Sequence, residues 1–363
     1  MKNFFSRLEA WYKIHQRDLP WRKTRDPYLI WISEIIFQQT RINQGFEYYQ
    51  RFVEAFPDVM TLAAADEAKV LKLWQGLGYY SRARNIHKAA NIIVEKHQGV
   101  FPKHFDDIRK LPGIGDYTAA AIASFAFLQV FPVVDGNVIR FISRLYGLNT
   151  LFTTDASKKE LYMLLNKLID PKKPDIFNNA IMEFGALQCK PATPDCEACI
   201  FKSDCVAFKK KLVQELPLKV KKKVNPILYL NYLVCIANEE QGKASWLQKR
   251  SHKGIWHNLY DFPCHESEGK LSFKQLEQLS FFKEITSNHA YRHINSSTEY
   301  VHKLTHKTFY AYFHVLEFEK GVTIVLEGFE KCLLDNLHTF PVSRLMEIYL
   351  EEEGLGRIII KNN

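Results

Sequence analysis

Residues 111–120 read LPGIGDYTAA, a tight turn with two glycines that leads into an alanine-rich helix. Gly113 and Gly115 relieve the Cβ clash at positive φ and allow the backbone to approach another surface closely. The amides at the start of the following helix would offer a site for an anion. An ordinary turn between two helices explains an isolated Gly-x-Gly equally well, so the stretch needs a second motif to decide the fold.

That second motif is a cluster of cysteines downstream of the turn. Cys189, Cys196, Cys199 and Cys205 lie within 17 residues, with the spacing Cys-x6-Cys-x2-Cys-x5-Cys. Four thiolates in a short loop suit zinc or an iron–sulfur cluster, and a disulfide framework would be out of place in a reducing cytoplasm. The spacing favours a cluster, because zinc loops more often contain two Cys-x2-Cys pairs.

The apolar period changes along the chain and predicts two domains. Residues 1–208 show apolar positions three and four residues apart, most clearly at 28–39, which indicates helices. Residues 209–226 carry seven lysines against one glutamate and include two prolines, as in an exposed basic linker. Residues 227–363 change to a period near two, which indicates an α+β domain, and a final helix is expected at about 342–352. The clearest strand patterns cover residues 227–236, 244–248 and 308–318.

Charge and hydropathy suggest where such a chain works. A net charge of +9 and a pI near 9.0 favour a polyanionic partner. No apolar run reaches the roughly 18 residues of a membrane span, and the N-terminus lacks a signal-peptide core. We therefore expect a soluble cytoplasmic protein with no membrane partner.

Together, the LPGIG turn and the cysteine spacing resemble the endonuclease III and MutY branch of the helix–hairpin–helix DNA glycosylases. The resemblance implies an all-α glycosylase domain in which the Gly113–Gly115 turn binds a DNA phosphate without reading sequence. It also implies a [4Fe–4S] cluster in the loop 189–205, held by the four cysteines. The implied role of this loop is structural and DNA-facing, with Lys190 and Lys202 close to phosphates.

Residues 131–140, FPVVDGNVIR, contain a candidate catalytic carboxylate. Asp135 could cap the following helix, but Asn137 could fill that role equally well and leave Asp135 free for another. The segment resembles the VDGNV…R element that carries the invariant aspartate of this superfamily. The resemblance implies that Asp135 stabilises or transiently traps an oxocarbenium-like sugar, and we include Asn137 among the candidate catalytic residues.

Residues 28–40, YLIWISEIIFQQT, contain a single glutamate in an apolar helix. Glu34 could lie on a narrow exposed face. Alternatively, desolvation could raise its pKa and keep it protonated as a general acid near neutrality. The segment resembles the SEVMLQQT element of the MutY adenine glycosylases, in which this glutamate protonates adenine at N7. Endonuclease III-like enzymes lack the residue, so Glu34 separates the two branches.

Position 117 also distinguishes the MutY branch from endonuclease III-like enzymes. Lyase members of the superfamily have at this position a lysine that attacks the sugar as an amine. Tyr117 cannot form a Schiff base, so the resemblance implies a monofunctional glycosylase that leaves an abasic site and cuts no strand. The tyrosine could contact Asp135 or the sugar, or could simply pack beside the turn.

Three further residues match parts of the family that reach the base. A base must leave the duplex before this chemistry. Residues 76–85 resemble the GLGYYSRARN loop, in which Tyr79 would wedge into the stack while Gln39 fills the vacated space. Arg22 lies in a match to the LPWR…DPY stretch and is expected to line the adenine pocket.

The C-terminal residues 227–363 resemble the Nudix-like, or MutT-like, recognition domain of the MutY family. Residues 254–263, GIWHNLYDFP, match its GLWEFP segment, and the chain has no Nudix box. In the family an FSH loop contacts 8-oxoguanine, and the matching residues are Leu304, Thr305 and His306. Threonine keeps a hydroxyl for a lesion contact and His306 is retained, whereas leucine removes an aromatic packing partner. We expect His306 on a strand.

The sequence therefore predicts a multidomain protein, with a helical glycosylase domain at 1–208, a linker at 209–226 and a MutT-like domain at 227–363. The expected activity is that of a monofunctional adenine DNA glycosylase in base excision repair, acting on double-stranded DNA with adenine opposite 8-oxoguanine or guanine. We expect a monomer, in the bacterial cytoplasm and associated with the nucleoid. An endonuclease III-like glycosylase and AP lyase, or a non-catalytic damage-binding protein, are the alternatives.

Overall fold

The computed structural model describes five stretches of the chain, residues 3–219, 224–252, 254–286, 289–319 and 326–353. The chain folds into two compact units, each made of two segments. The first unit is Met1–Ala64 with Asn85–Lys222, and the second is Ala65–Arg84 with Lys223–Asn363.

The second unit includes a segment that the sequence assigns to the helical domain. Within residues 65–84, the Gln75 amide donates to Glu347 Oε1 at 2.7 Å, and the Tyr80 hydroxyl donates to the Val342 carbonyl at 3.2 Å. The observed division therefore differs from the predicted boundary at residue 208. Helical periodicity shows that a helix buries one face, but it does not show which core receives that face.

Residues 4–209 form helices joined by loops, and the all-α class predicted for this region is confirmed. The helices are α1 (Phe4–His15), α2 (Pro27–Ile36), α3 (Ile42–Ala55), α4 (Val59–Ala63), α5 (Glu67–Trp74), α6 (Ser81–His97), α7 (Phe105–Arg109), α8 (Asp116–Phe127), α9 (Gly136–Tyr146), α10 (Asp155–Asn166), α11 (Pro174–Leu187) and α12 (Val206–Lys209). A short 3-10 helix, Pro20–Arg22, lies between α1 and α2.

Local sequence explains where α2 begins and ends. The Asp26 side chain accepts a hydrogen bond from the Tyr28 amide, and Pro27 fixes the first turn. The helix ends at Ile36 and not at the predicted Gln39, because the next residues form a turn and Gln39 adopts a left-handed φ of 57°.

An aromatic core holds the first unit together. The ring of Phe4 lies 5.1 Å from that of Phe201, and the ring of Phe141 lies 4.5 Å from that of Phe184. Phe201 is fully buried and stands between the third and fourth clustered cysteines. The core therefore anchors the cysteine loop to α1, α9 and α11.

The second unit contains a mixed sheet. Its described strands and following helices are β1 (Ile227–Glu239), β2 (Gly242–Lys249), β3 (Tyr260–Asp261), β4 (Cys264–Ser267), α13 (Phe273–Leu276), α14 (Ser280–Thr286), β5 (Tyr291–Ser296), β6 (Tyr300–Lys303), β7 (Thr308–Phe318), β8 (Glu330–Leu333) and α15 (Arg344–Glu353). The main strand order is β3-β2-β1-β7-β5, with β4 on β1, β6 on β7 and β8 on β2. Only β1 and β7 pair in parallel among these strands, from Ile227 opposite Thr308 to Ile236 opposite Glu317.

Helices cover both faces of this sheet. On one face, Trp246 and Leu316 pack in one buried cluster with Phe282 of α14. On the other, the ring of Phe313 stacks on that of Tyr349 in α15 at 3.8 Å. Burial on both faces explains the continuous apolar runs in β1 and β7, and the predicted α+β class of this region is confirmed.

The predicted linker 209–226 is only partly exposed. Residues 209–211 are exposed as expected, but Leu216 is 3% exposed and its carbonyl accepts a hydrogen bond from Arg144 Nε at 3.0 Å. The segment that follows, 220–223, lies outside the described residues. Among the helices that the structure describes, none has both the length and the apolar character needed to cross a membrane.

Candidate active site

Helix α2 carries one carboxylate in an otherwise apolar sequence. Burial, with the nearby charge of Asp135, raises the pKa of Glu34 to about 7. A hydrogen bond with Tyr117 and the charge of Arg22 act in the opposite direction. At neutral pH a substantial fraction of Glu34, about half, is therefore the protonated acid, which is the state that a general acid requires.

Asp135 lies at the N-terminus of α9 and caps that helix. Its Oδ1 accepts from the Val138 amide at 2.7 Å, and its Oδ2 accepts from Asn137 Nδ2 at 2.6 Å. The argument that Asn137 could take over the cap is therefore wrong, because Asp135 caps the helix with one oxygen and is held by Asn137 through the other. Burial raises the pKa of Asp135, while both hydrogen bonds favour the charged carboxylate.

Glu34, Tyr117, Asp135 and Asn137 line one open cavity of about 810 Å³. The Tyr117 hydroxyl is hydrogen-bonded with Glu34 and donates to Met182 Sδ at 3.7 Å. Burial raises the pKa of Tyr117 well above its usual range, and the nearby carboxylates add to this, so the phenol stays protonated. The tertiary structure thus brings four predicted site residues to one cavity and makes Glu34 the partner of Tyr117.

A smaller cavity of about 230 Å³ also borders Glu34. The two cavities share Trp21, Arg22 and Met182 as walls, so Arg22 lies beside Glu34. The ring of Trp21 is fixed by that of Phe37 at 4.5 Å. Between them the cavities offer the ring surface and the polar groups that an extruded base requires.

The glycine turn has the geometry expected of a close-approach element. Gly113 has a φ of 77° and is exposed, and a Cβ there would lie 2.7 Å from Asn85 Cβ. Gly115 is the N-cap residue of α8 and has no side chain to occupy the amides of the first turn. Those amides are therefore available to an anion.

Gln39 follows α2 on an exposed turn. Its left-handed backbone contrasts with the preceding Gln38, whose amide donates to Thr118 Oγ1 at 3.2 Å. Of the two adjacent glutamines, Gln38 thus joins the α2 and α8 segments, and Gln39 is the one presented to solvent.

The four clustered cysteines line one small apolar cavity of about 30 Å³. Arg144 touches two of them, because its Nη1 donates to Cys189 Sγ at 3.5 Å and its carbonyl accepts from Cys205 Sγ at 3.4 Å. Within the described residues, no three His, Cys, Asp or Glu side chains form a ready metal-binding group. The donor set nevertheless suits iron–sulfur chemistry: four thiols share one cavity, beside a guanidinium that offsets thiolate charge.

The second unit has a cavity of its own, of about 500 Å³, lined by Tyr79, Thr305 and His306 among others. The Tyr79 hydroxyl lies 2.9 Å from Thr305 Oγ1, although the two residues are 226 positions apart. Tyr79 is 49% exposed and adopts a left-handed φ of 49°. Two residues that the sequence assigns to DNA contacts through separate motifs are therefore neighbours.

Thr305 and His306 lie in the tight turn between β6 and β7, which the Leu304 amide closes by donating to the Lys307 carbonyl at 2.8 Å. The expectation that His306 lies on a strand is therefore wrong. Both side chains are exposed. A turn presents them more freely than a strand would, because the paired backbone of a strand fixes the direction of each side chain.

Comparison with known proteins shows which family this chain belongs to. A family model described as HhH-GPD superfamily base excision DNA repair protein matches residues 32–171. The adenine DNA glycosylase of Buchnera aphidicola subsp. Schizaphis graminum is 37% identical over 82% of this chain and 83% of its own length. This chain belongs to the adenine DNA glycosylase family. The human adenine DNA glycosylase is 29% identical over 95% of this chain and 72% of its own.

A solved structure agrees with this assignment for the helical region. A thermostable thymine-DNA glycosylase is 30% identical, with a TM-score of 0.54, and the match covers 58% of this chain and 96% of that one. The protein is accordingly a base-excision-repair DNA glycosylase that removes adenine, and DNA is its binding partner.

Sequence analysis missed Glu183, an important member of this adenine glycosylase site. Its carboxylate, in α11, is fully buried and accepts hydrogen bonds from Arg17 Nη2 at 2.6 Å and Arg22 Nη2 at 2.7 Å. Burial acts to raise the pKa of Glu183, but the hydrogen bonds from the two arginines prevail and lower it to about 2. The signal that could have found it is the one that found Glu34, a single carboxylate inside an apolar helical run.

Sequence analysis also left Trp256 without a role. Its ring lines the cavity of the second unit, and the residue is 6% exposed with a left-handed φ of 60°. Residues 254–263 resemble the GLWEFP segment of the family, but a resemblance in sequence does not show the backbone conformation of Trp256.

Proposed function

We propose that the protein excises adenine opposite 8-oxoguanine or guanine and that it leaves an abasic site without cutting the strand. The observation that carries this proposal is the single cavity that Glu34, Tyr117 and Asp135 line together. Removal of adenine follows from the family, whereas the opposing base and the roles of single residues are the proposal.

The first step is protonation of the base. Adenine is a poor leaving group until it is protonated, and Glu34 transfers its proton to N7 of the extruded base. The bond between N9 and C1′ then breaks, and its electron pair stays with the adenine. The raised pKa of Glu34, to about 7, supports this role because the acid is still protonated near neutral pH.

Asp135 acts on the sugar. Loss of the base leaves an oxocarbenium-like C1′, which the Asp135 carboxylate stabilises or transiently traps. Asn137 orients that carboxylate through its 2.6 Å hydrogen bond. Water then adds to C1′ and its proton passes to Glu34, which restores both carboxyl groups.

Tyr117 supports the absence of strand cleavage. A lyase needs an amine that can form a Schiff base with the sugar, and the Tyr117 phenol cannot. None of the described residues that line the 810 Å³ cavity is a lysine. The product is therefore an intact strand with an abasic site.

Arg22 lines the adenine pocket, and Glu183 fixes its guanidinium. Arg22 donates to both oxygens of Glu183, at 3.0 and 2.7 Å, in a bidentate arrangement. A guanidinium held in this way keeps one orientation beside the extruded base. The Glu183 pair thus preorganises the pocket in which Glu34 acts.

Several exposed residues bind the duplex. The Gly113 and Gly115 turn and the α8 amides bind a backbone phosphate, which positions the duplex without reading sequence. Tyr79 wedges into the base stack and Gln39 fills the space that the adenine leaves. The exposure of both side chains and their left-handed backbone support this role.

Thr305 and His306 contact the base opposite the adenine. 8-Oxoguanine differs from guanine by an oxygen at C8 and a proton on N7, and a hydroxyl can accept or donate to these groups. The neighbouring Tyr79 supports this assignment, because a wedge and a lesion contact must reach the same base pair. We propose that the second unit is a MutT-like recognition domain, which its mixed sheet between helices supports.

The four clustered cysteines hold a [4Fe–4S] cluster. Bound there, the cluster would tie the loop 189–205 together and would not take part in the chemistry at the sugar. The Cys199→Ser variant should lose iron and acid-labile sulfide, whereas Cys235→Ser, on β1, should retain them. Equal iron content in the two variants would reject this ligand set.

The decisive experiment is an excision assay on duplexes with adenine opposite 8-oxoguanine, guanine or thymine, resolved with and without alkali. We expect cleavage only after alkali, strongest opposite 8-oxoguanine and absent opposite thymine. Cleavage without alkali would show a lyase, and tight binding without base release would show a damage-binding protein. Size-exclusion chromatography of the same protein should show a monomer.

A further inference from the structure

One wall of the 500 Å³ cavity is built in an unusual way. The loop 254–258 contains two non-glycine residues with left-handed backbone, Trp256 at φ 60° and Asn258 at φ 65°. Such conformations are costly for residues with a Cβ and persist where the surroundings impose them. Trp256 is nevertheless almost completely buried and lines the cavity.

The surroundings that impose this conformation are specific. The Arg250 amide donates to the Leu259 carbonyl at 2.9 Å, and the Asn258 amide donates to the Arg250 carbonyl at 2.9 Å, so Arg250 spans the base of the loop. Arg84 donates from Nη1 to the His257 carbonyl at 2.8 Å. Because Arg84 follows the segment that carries Tyr79, this bond ties the loop to the opposite side of the same cavity.

The indole of Trp256 is packed against three groups. The Arg250 guanidinium lies 5.5 Å from the ring centre, the His302 ring lies 5.6 Å away and the Phe309 ring lies 5.5 Å away. Burial lowers the pKa of His302, so its ring is neutral near pH 7 and adds no charge to the cavity. The indole therefore has one fixed position.

Arg250 is itself held by a buried partner. Its Nη1 donates to Asp261 Oδ2 at 2.6 Å, and the Asp261 side chain is 4% exposed. A buried ion pair is often no more stable than apolar residues of similar volume, but it fixes orientation. The ion pair fixes the Arg250 guanidinium that lies against the indole, and the left-handed loop fixes the backbone that carries it.

We infer that Trp256 is a specificity residue for the purine opposite adenine, and that Arg250 and Asp261 are its positioning residues. This inference rests on the proposed function. Thr305 can distinguish 8-oxoguanine from guanine only if the purine is held at a fixed distance and angle, because hydrogen bonds weaken steeply off-axis. In a cavity of about 500 Å³, a purine without a rigid wall would shift. The indole supplies that wall, because its buried neighbours hold it in one position.

The test compares single-turnover excision of adenine opposite 8-oxoguanine with excision opposite guanine, and takes the ratio of the two rates at sub-saturating enzyme. In Trp256→Leu we expect this ratio to fall up to about fivefold, the value of the one hydrogen bond that a shifted purine no longer makes with Thr305. Trp256→Phe keeps a ring and should retain most of the ratio. Thermal melting of each variant verifies the fold.

Arg250→Lys tests the positioning role. Lysine can still pair with Asp261 but loses the planar guanidinium that stacks on the indole. We expect a smaller fall of the same ratio, about threefold, at an unchanged melting temperature. The matched control is Phe273→Leu. Phe273 is an aromatic residue of the same unit that stacks on His293 and does not line this cavity. The ratio of rates in this variant should equal that of the wild type.

An unchanged ratio in folded Trp256→Leu would overturn the inference. This holds whether both rates stay at the wild-type value or fall by the same factor, because an equal fall is the behaviour of a merely structural residue. A wild-type protein that shows no preference between the two opposing bases would reject the proposed lesion contact of Thr305 and His306, and the inference with it, before any variant is made. Absence of excision opposite either base would instead reject the proposed function itself.

Discussion

The cavity that contains Glu34 and the cavity that contains Thr305 are built by opposite means. The first is walled by helices and holds arginines together with two glutamates whose pKa values are strongly shifted by burial and by partners. The second is walled by loops and a turn, with aromatic rings and left-handed residues such as Tyr79 and Trp256. Breaking a bond requires charges in fixed protonation states, whereas recognising a base requires ring surface and a few hydrogen-bonding groups.

Within the first cavity, Glu34 and Glu183 show that burial alone does not set a pKa. Desolvation acts to raise both, but Glu34 ends at about 7 and Glu183 at about 2. The difference lies in the partners. Arg17 and Arg22 donate to Glu183, whereas Glu34 is bonded to a neutral phenol and lies near the charge of Asp135. Near neutral pH, Glu34 can therefore carry a proton, whereas Glu183 stays a charged carboxylate.

The largest expected effect in this comparison is the loss of the acid. Glu34→Gln removes the proton donor, and the single-turnover excision rate should fall about 10³-fold while duplex binding is retained. Asp135→Asn is the companion variant and should stall the reaction at the sugar. Retained excision in Glu34→Gln would remove the acid role from this residue.

The same variant should be more stable than the wild type at pH 8. The pKa of Glu34 is raised on folding, to about 7 from 4.5, so the wild type loses stability as pH rises through this window. Glutamine resembles the protonated acid and avoids the loss, a gain on the order of 2 kcal/mol at pH 8 that vanishes near pH 4. Urea unfolding at the two pH values measures the gain.

The fixed anion should respond in the opposite way. Glu183→Gln leaves Arg17 and Arg22 without their carboxylate and should lower the free energy of unfolding at pH 7 by about 3 kcal/mol. Because the pKa of Glu183 is lowered, its stabilisation is present above about pH 4.5 and is lost as pH falls toward 2. Glu54→Gln, at an exposed position of α3, is the control and should unfold like the wild type.

The pH dependence sharpens the contrast between the two cavities. Because Glu34 must be protonated, the excision rate should fall up to tenfold for each pH unit above about 7. The ratio of rates opposite 8-oxoguanine and guanine should stay constant over pH 7 to 8.5, because the same acid acts in both reactions. Rates that rise with pH over this range would contradict the assignment.

The smallest of these effects is expected for Thr305, in the turn between β6 and β7. Thr305→Ala removes one hydroxyl and should lower the preference for 8-oxoguanine over guanine about fivefold, the value of one hydrogen bond. Thr305→Ser keeps the hydroxyl and serves as the matched control. If the alanine variant kept the full preference, the lesion contact would have to come from another residue of the cavity.

Local motifs carried much of the prediction. A single glutamate in an apolar helix indicated Glu34, the resemblance of residues 131–140 to the VDGNV…R element indicated Asp135, and the spacing of the cysteines indicated their shared site. The helical and α+β classes also followed from apolar period alone. Each of these features lies within a short stretch of chain, where hydrophobic period, capping and turn chemistry act directly.

Other features could not be read in this way. The Arg17–Glu183 pair joins residues 166 positions apart, and the Tyr79–Thr305 pair joins residues 226 positions apart. Residues 65–84 read as ordinary helix and loop, yet they form part of the second unit.

The sequence by itself determined the family, and it indicated Glu34 and Asp135 as the candidate carboxylates and the four cysteines as one candidate site. Only the tertiary structure decided that Asp135 caps its own helix, that Glu183 is an anion and that Trp256 forms a cavity wall. The physical reason is the distance along the chain over which each interaction acts. Period and turn chemistry act over a few residues, whereas pKa shifts and cavity walls depend on groups that only the packed chain brings together.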